Sequence, residues 1–203
     1  MSIQSRIDLK LKELSQRAPL GYFIGLHIRF TAPLMTFQTY DKAWLDHYTD
    51  NGFVLRDPMT AWGFSTIGSI RWSDPGLPDP FHLFVEARKF GLRFGCTVSF
   101  GPIRSRTIAS FARNDREFTD EEIRVIGEIV GEMHELTQPP ESLTKAQIEA
   151  LRCVAGGDRH AAGAAKLGIS ESALKARLNS ARSRLMARTT AEAIQRAKDF
   201  RLL

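Results

Sequence analysis

Apolar residues recur along this chain with two periods, and the change between them divides it. Ile3, Ile7, Leu11 and Leu14 fall three and four apart, which predicts a short amphipathic helix over residues 3–15. From Gly21 to Phe30, and again from Leu34 to Thr39 beyond Ala32-Pro33, aromatic and branched residues cluster without a helical period; both stretches predict strands. A helix over 41–49 follows and stops at the helix-ending pair Asn51-Gly52. Pro58, behind Asp57, opens a helix to about residue 66, because a first-turn N–H has no helical partner to lose. Ser69 to Ser73 reads as a short strand carrying Trp72, residues 74–80 as a turn-rich break and 81–90 as a helix. Gly91 and Gly95 bracket a turn into a strand from Cys96 to Phe100. Gly101-Pro102 and the basic Arg104-Ser-Arg106 form the next turn. Thr107 to Arg113 is a strand with Ile108, Ser110 and Ala112 on one face.

Thr119 and Glu122 have the spacing of a capping box, opening a helix to about Leu136 striped by Ile123, Ile126, Val130 and Met133. Up to that point, helices mix with five strands joined by short turns. That pattern predicts an α+β domain, an antiparallel sheet layered with helices. The Pro-containing stretch Thr137 to Ser142 then breaks the chain. Beyond it the pattern is all α. Thr144 and Gln147 form a second capping box for a helix to Ala155, and Gly156-Gly157 ends it. Helices over 159–167 and 171–185 flank a tight turn at Leu167–Ser170, and Thr189 caps a fourth helix to about Phe200. The division is thus residues 1–137, a linker over 138–143, and a four-helix domain over 144–203.

Charge sharpens that division. The net charge is +5, yet residues 1–143 hold 16 Lys/Arg against 18 Asp/Glu (net −2) and residues 144–203 hold 12 against 5 (net +7). In the helix over 171–185, Leu174, Leu178, Ala181 and Leu185 lie on one side, while Ser172, Lys175, Arg177, Asn179, Arg182 and Arg184 occupy the others. Two short helices about a glycine turn, the second basic and polar outward, have the layout of a helix-turn-helix. Arginine and lysine suit phosphates, and arginine and asparagine suit base edges.

The remaining chemistry mostly excludes. At 43% hydrophobic residues, with no run of membrane-spanning length and no signal-like N-terminus, the chain is expected in the cytoplasm. Cys96 and Cys153, far apart and outside any C-x-x-C, are expected reduced, and the five histidines lack metal-ligand spacing. Neither a metal nor a cofactor is expected. No phosphate loop, paired acids or nucleophilic triad points to an enzyme. Ser172 and Lys175 match S-x-x-K without companion motifs, a chance match. Tyr40, Trp44 and Tyr48, four apart, place aromatics with polar tips on one helical face, and Asp57 follows. That composition suits a small-molecule pocket. It also suits a packed core with satisfied hydroxyls, which is the commoner case for such residues alone. A separate nucleic-acid module gives the pocket reading a purpose.

The tail is similar to a LuxR-type helix-turn-helix: L-T-K-A-Q-I-E-A-L, A-G-G, L-G-I-S-E-S-A-L-K-A-R-L-N-S, and a closing A-x-x-A-x-x-F-R-L-L. The first part resembles the acyl-homoserine-lactone-binding domain of the same quorum-sensing regulators, with Trp44 and Tyr48, Asp57-Pro58, Trp72 and Gly95 in the family's order. The resemblance implies that Trp44 donates to a lactone carbonyl, Asp57 accepts the ligand amide N–H and Tyr48 binds the amide carbonyl. It implies that Tyr40 and Trp72 wall the pocket and that Ser110 contacts the amide region. The acyl chain is expected against Phe53, Leu55 and Trp62. The implied partners are the acyl-homoserine lactone, double-stranded DNA at a pseudo-palindromic operator, a second copy of the chain and RNA polymerase. The alternative is a regulator of the same type with a non-lactone ligand or none, acting constitutively or as a dominant-negative dimerisation partner. The chain departs from the family pattern at Gln147 (usually Glu), Asp158 (often Lys) and Gly163 (often a core Ile); glycine inside a helix costs about 1 kcal/mol relative to alanine.

Overall fold

The computed structural model describes residues 3–29, 32–140 and 142–203, and within them the chain divides into two compact units after Thr137. The first unit contains α1 (Ile3–Arg17), β1 (Tyr22–Ile28), β2 (Met35–Gln38), α2 (Lys42–Asp50), α3 (Pro58–Ser65), β3 (Gly68–Arg71), α4 (Leu83–Lys89), β4 (Phe94–Phe100), β5 (Arg106–Arg113) and α5 (Asp120–Leu136). Phe30, expected at the end of the first strand, and Glu141, expected in the linker, lie outside the described residues. The sheet is antiparallel throughout, in the order β2-β1-β5-β4-β3.

Each face of the sheet carries its own helical layer. On one face α1 and α5 cover a core of Ile7, Leu14, Ile24, Leu26, Phe111, Ile126 and Met133. On the other, α3 packs on β4 and β5, while α2 and α4 bring Trp44, Leu83 and Ala87 against Ala112. Strand alternation decides which residue serves which layer. On β5, Ala109 and Phe111 face α5, and Ile108, Ser110 and Ala112 face the opposite way, as the sequence pattern indicates. Strand β1 breaks its alternation once. His27 has φ 52°, the pairing with β5 slips between Gly25 and Ile28, and this bulge turns Ile28 to the α3 side.

The bulge also buries a polar knot. The His27 and His134 rings lie 4.1 Å apart. His27 Nδ1 meets Ser105 Oγ at 2.8 Å, and its Nε2 lies 3.0 Å from both the His134 carbonyl and Thr137 Oγ1. Thr107 Oγ1 and His134 Nδ1 are 2.8 Å apart. Burial, and then the neighbouring His134 charge, hold the His27 pKa down at about 4; burial also lowers that of His134.

Three local expectations need correction. Tyr40 is not on the aromatic helix: the Asp41 side chain accepts the Ala43 N–H at 2.8 Å and starts α2 after it. Gly95 is not a turn residue but lies inside β4, because the Trp72 ring rests on it. A Cβ there would fall 2.1 Å from the ring. Likewise Arg106, expected in a turn, opens β5.

The second unit holds α6 (Lys145–Ala155), α7 (His160–Leu167), α8 (Glu171–Arg184) and α9 (Thr190–Asp199) around Leu151, Leu174, Leu178, Ala181 and Leu185. Leu143, read from sequence as linker, is buried in this core. Gly163 marks a close helix approach: a Cβ there would sit 3.3 Å from both Cys153 Cβ and Leu174 Cδ2.

Candidate ligand-binding site

A cavity of about 550 Å³ lies between the sheet and the α2–α3–α4 layer. All six residues selected from sequence, Tyr40, Trp44, Tyr48, Asp57, Trp72 and Ser110, line it. Each arrives from a different local cause. Asp57 is the N-cap of α3, its Oδ1 accepting the Met59 N–H at 2.8 Å and the Thr60 N–H at 3.4 Å. That capping aims the second carboxylate oxygen at Tyr48, whose hydroxyl donates to it at 2.8 Å, with Thr60 Oγ1 at 3.3 Å. The carboxyl is half-buried by surface exposure, and its open side belongs to the cavity wall rather than to bulk solvent. Burial therefore dominates, raising the Asp57 pKa against the hydrogen bonds from Tyr48, Met59 and Thr60 that lower it. The Tyr48 hydroxyl is raised too, by burial and then by the Asp57 charge.

On the sheet side a chain of donors ends in the cavity. The Trp72 indole N–H donates to Thr97 Oγ1 at 3.1 Å, and Thr97 Oγ1 lies 2.9 Å from Ser110 Oγ. Thr97 is fully buried, so its own hydrogen is satisfied by donating to Ser110. The Ser110 hydrogen is then free for the cavity. Thr97 has no mark in the sequence; only its place opposite Ser110 in the β4–β5 register reveals it.

Two donors remain unmet. The Tyr40 hydroxyl is buried without a hydrogen-bond partner among the described residues. Its pKa is raised, first by burial. The Trp44 indole N–H has no partner among them either. Trp44 is held by edge contact with Tyr48, stacking on Phe53 and a tilted contact with Phe90. The rest of the lining is mostly apolar and includes Phe23, Ile28, Leu55, Phe64, Phe84 and Ile108. Phe53 and Trp62, expected along an acyl chain, do not line it. Phe53 backs Trp44 instead. On α3, Thr60 and Phe64 share the cavity face four residues apart, which turns Trp62 away. In a second, open groove of about 810 Å³ between α5 and β3–β4, Arg124 pairs with Glu121 and Glu128, and Glu132 with Lys10.

The residues expected to meet DNA lie on α8 and divide by exposure. Ser172, Lys175, Asn179 and Arg184 are exposed, with Arg184 donating to the Ser142 carbonyl at 2.9 Å. Arg177 and Arg182 are half-buried; Arg177 lies 3.9 Å from Glu149, and Arg182 donates to the Asn179 side chain and the Arg188 carbonyl. Asp158 is paired with Lys166 at 2.6 Å, and the Gln147 amide donates to Ser180 at 2.9 Å while completing its capping box. Among the described residues, no group of three or more His, Cys, Asp or Glu side chains is placed to hold a metal, and no helix is long and apolar enough to cross a membrane.

Comparison with known proteins identifies the family of the first unit. Residues 28–135 match the family model of the autoinducer binding domain. The chain is 30% identical over 167 residues to the HTH-type quorum-sensing regulator RhlR of Pseudomonas aeruginosa, covering 75% of this chain and 69% of that one. It is 31% identical over 159 residues to the regulatory protein SdiA of Escherichia coli, covering 71% and 66%. A solved structure of SdiA in complex with octanoyl-rac-glycerol superposes with a TM-score of 0.54 at 21% identity over 98% of this chain and 89% of that one, a likeness of fold. RhlR is a quorum-sensing regulator and SdiA a regulatory protein, and this chain belongs to the family of proteins built on an autoinducer-binding domain.

Proposed function

We propose that the chain is a ligand-responsive, DNA-binding transcription regulator of the quorum-sensing type, whose cavity takes an N-acyl homoserine lactone. The observation carrying this reading is the polar inventory of an otherwise apolar cavity. One carboxylate stands beside unmet donors at Tyr40 and Trp44 and a free hydrogen at Ser110. An acyl lactone presents the complement, one amide N–H and several carbonyl oxygens. Asp57 accepts the amide N–H, Trp44 donates to the lactone carbonyl, Ser110 donates to the amide carbonyl, and Tyr48 reaches that carbonyl by turning its one hydroxyl hydrogen away from Asp57 as the amide N–H takes its place. Tyr40 and Trp72 wall the site, with Tyr40 offering its hydroxyl to a carbonyl. In a dry site an unmade hydrogen bond costs about 1–3 kcal/mol, so a ligand lacking the amide is rejected.

The basic four-helix unit serves as a helix-turn-helix. A homodimer sets two copies of α8 in successive major grooves of a pseudo-palindromic site, with Lys175, Asn179, Ser172 and Arg184 as its contacting edge. Ligand that favours the DNA-competent dimer shifts its population, and RNA polymerase is the downstream partner. The work takes place in the cytoplasm and involves no catalysis.

The test is a thermal melt of the purified full chain against a series of N-acyl homoserine lactones, paired with mass spectrometry of solvent extracts. A saturating lactone at about 100 times its dissociation constant should stabilise the fold by about 2.7 kcal/mol. Asp57→Ala should abolish the response in an operator-binding assay. No shift with any lactone and none co-purifying would sink the ligand assignment, and a normal dose response in Asp57→Ala would remove Asp57 from it.

A further inference from the structure

We infer that Arg106 reads the far end of the ligand and that the ligand carries an anionic group there, a carboxylate closing an extended acyl chain. This deepens, and rests on, the acyl-ligand reading above. Arg106 is 5% exposed, and its Nε and Nη1 are buried without a hydrogen-bond partner among the described residues. Nor does any ion pair to it occur among them. A desolvated guanidinium left without a counter-charge is strongly unfavourable, so its retention here calls for an anion.

The sheet register says where that anion comes from. Arg106 opposes Ile28, and directly opposed residues of an antiparallel pair share a face. Ile28 lines the cavity, as do Ile108 and Ser110, two and four residues farther along β5 from Arg106. Ser110, Ile108 and Arg106 therefore form one row on the cavity face. At about 3.4 Å per residue the row is about 14 Å long. Its Ser110 end belongs with the polar head group, and Ile108 and Ile28 give the chain an apolar path. Arg106 is not itself among the cavity's lining residues and continues the row past Ile108, so a ligand lying along the row brings its terminus to Arg106 by extending beyond that lining. A methyl terminus leaves the guanidinium unpaired; a carboxylate meets it with two parallel N–H···O bonds. Arg29, directly after Ile28, and Arg104, on the turn before β5, add positive charge at the same end of the two strands.

The experiment is calorimetric titration of the full chain with two N-acyl homoserine lactones of matched length, one ending in methyl and one in carboxylate, for wild type, Arg106→Met and Arg106→Lys. Wild type should bind the carboxylate form at least tenfold more tightly. Arg106→Met should invert that preference, and Arg106→Lys should keep it. Equal or tighter binding of the methyl form by wild type overturns the inference while leaving the lactone reading intact. Equal loss of both ligands in Arg106→Met also overturns it, as a structural role only. Binding of neither by wild type overturns both readings. If Arg106→Met does not fold, wild type and Arg106→Lys decide, with loss of the carboxylate preference in Arg106→Lys counting against the inference.

Discussion

The hydrogen bond between the Tyr48 hydroxyl and Asp57 should be measurable as a coupling energy. At 2.8 Å, with a carboxylate acceptor, it belongs to the charge-assisted class. Tyr48→Phe leaves Asp57 Oδ2 with only the 3.3 Å contact from Thr60 Oγ1, a cost of about 1.5–3 kcal/mol for a bond to a charged group. Asp57→Asn keeps the Oδ1 acceptor that caps α3 at the Met59 and Thr60 N–H groups but gives Tyr48 an amide in place of the anion. In that background Tyr48→Phe should cost about 1 kcal/mol or less. The cycle should therefore return about 1–2 kcal/mol of coupling. Urea unfolding followed by tryptophan fluorescence suits the measurement, because Trp44, Trp62 and Trp72 all lie in the first unit. With a slope of about 1.5 kcal/mol per molar urea, the coupling appears as a midpoint non-additivity of about 1 M. Repeating the cycle across pH adds a sign test. The folded Asp57 pKa is raised, so the native state holds this proton more tightly than the unfolded chain, and the charged group costs stability as pH rises from 3.8 through the folded value. Relative to Asp57→Asn, wild type should lose ground over that rise. A coupling below about 0.3 kcal/mol, within the scatter of additive sites, would refute the geometry argued for this pair.

Other consequences are as direct. His27 is held neutral with its pKa near 4, so the first unit should keep its full stability above pH 6.5 and lose up to about 3 kcal/mol as pH falls from 6.5 to 4. His27→Asn, which tolerates the positive φ, should flatten that slope in fluorescence-detected melts; an unchanged slope assigns it elsewhere. Gly95→Ala should displace Trp72, lower stability by about 1–3 kcal/mol and red-shift tryptophan emission. Gly163→Ile should destabilise the second unit by about 1–3 kcal/mol in far-UV thermal melts despite the better helix propensity of isoleucine, because Cys153 and Leu174 occupy its space. In gel-shift titrations, Lys175→Ala should weaken DNA binding across all sequences and reduce the salt slope by about 1.

What the sequence disclosed and what it hid have a common physical basis. Period and punctuation are local, and they located the five strands, the nine α-helices of the described residues and three Thr caps to within a few residues, but not the two short 3-10 turns at Phe53–Leu55 and Ile103–Ser105. The cavity residues were legible because Trp44, Tyr48 and Asp57 lie within one helix–turn–helix-start stretch. Hidden features depend on residues brought together through space. The partners of His27 lie about a hundred positions away, at Thr107 and His134, and nothing in the sequence marks the bulge that aims it. Gly95 read as a turn because a glycine in a strand is explained only by the Trp72 ring lying on it. Tyr40 fits a helical spacing yet precedes the helix, since one Asp41 side chain fixed where α2 starts.

The Trp72–Gly95 contact bears on how such a cavity diversifies. With 2.1 Å between a hypothetical Cβ and the indole, the two positions cannot drift independently. Gly63 is bound to Ile108 in the same way, a Cβ there falling 2.8 Å from the isoleucine side chain. In each pair the glycine is the permissive partner, so lineages that trim the ring at 72 or the branch at 108 gain licence to fill the opposite position. An alignment of descendants should therefore show side chains at 95 only beside something smaller than tryptophan at 72. Ligand preference would then evolve in paired steps, through intermediates with a hollow wall rather than a clashing one.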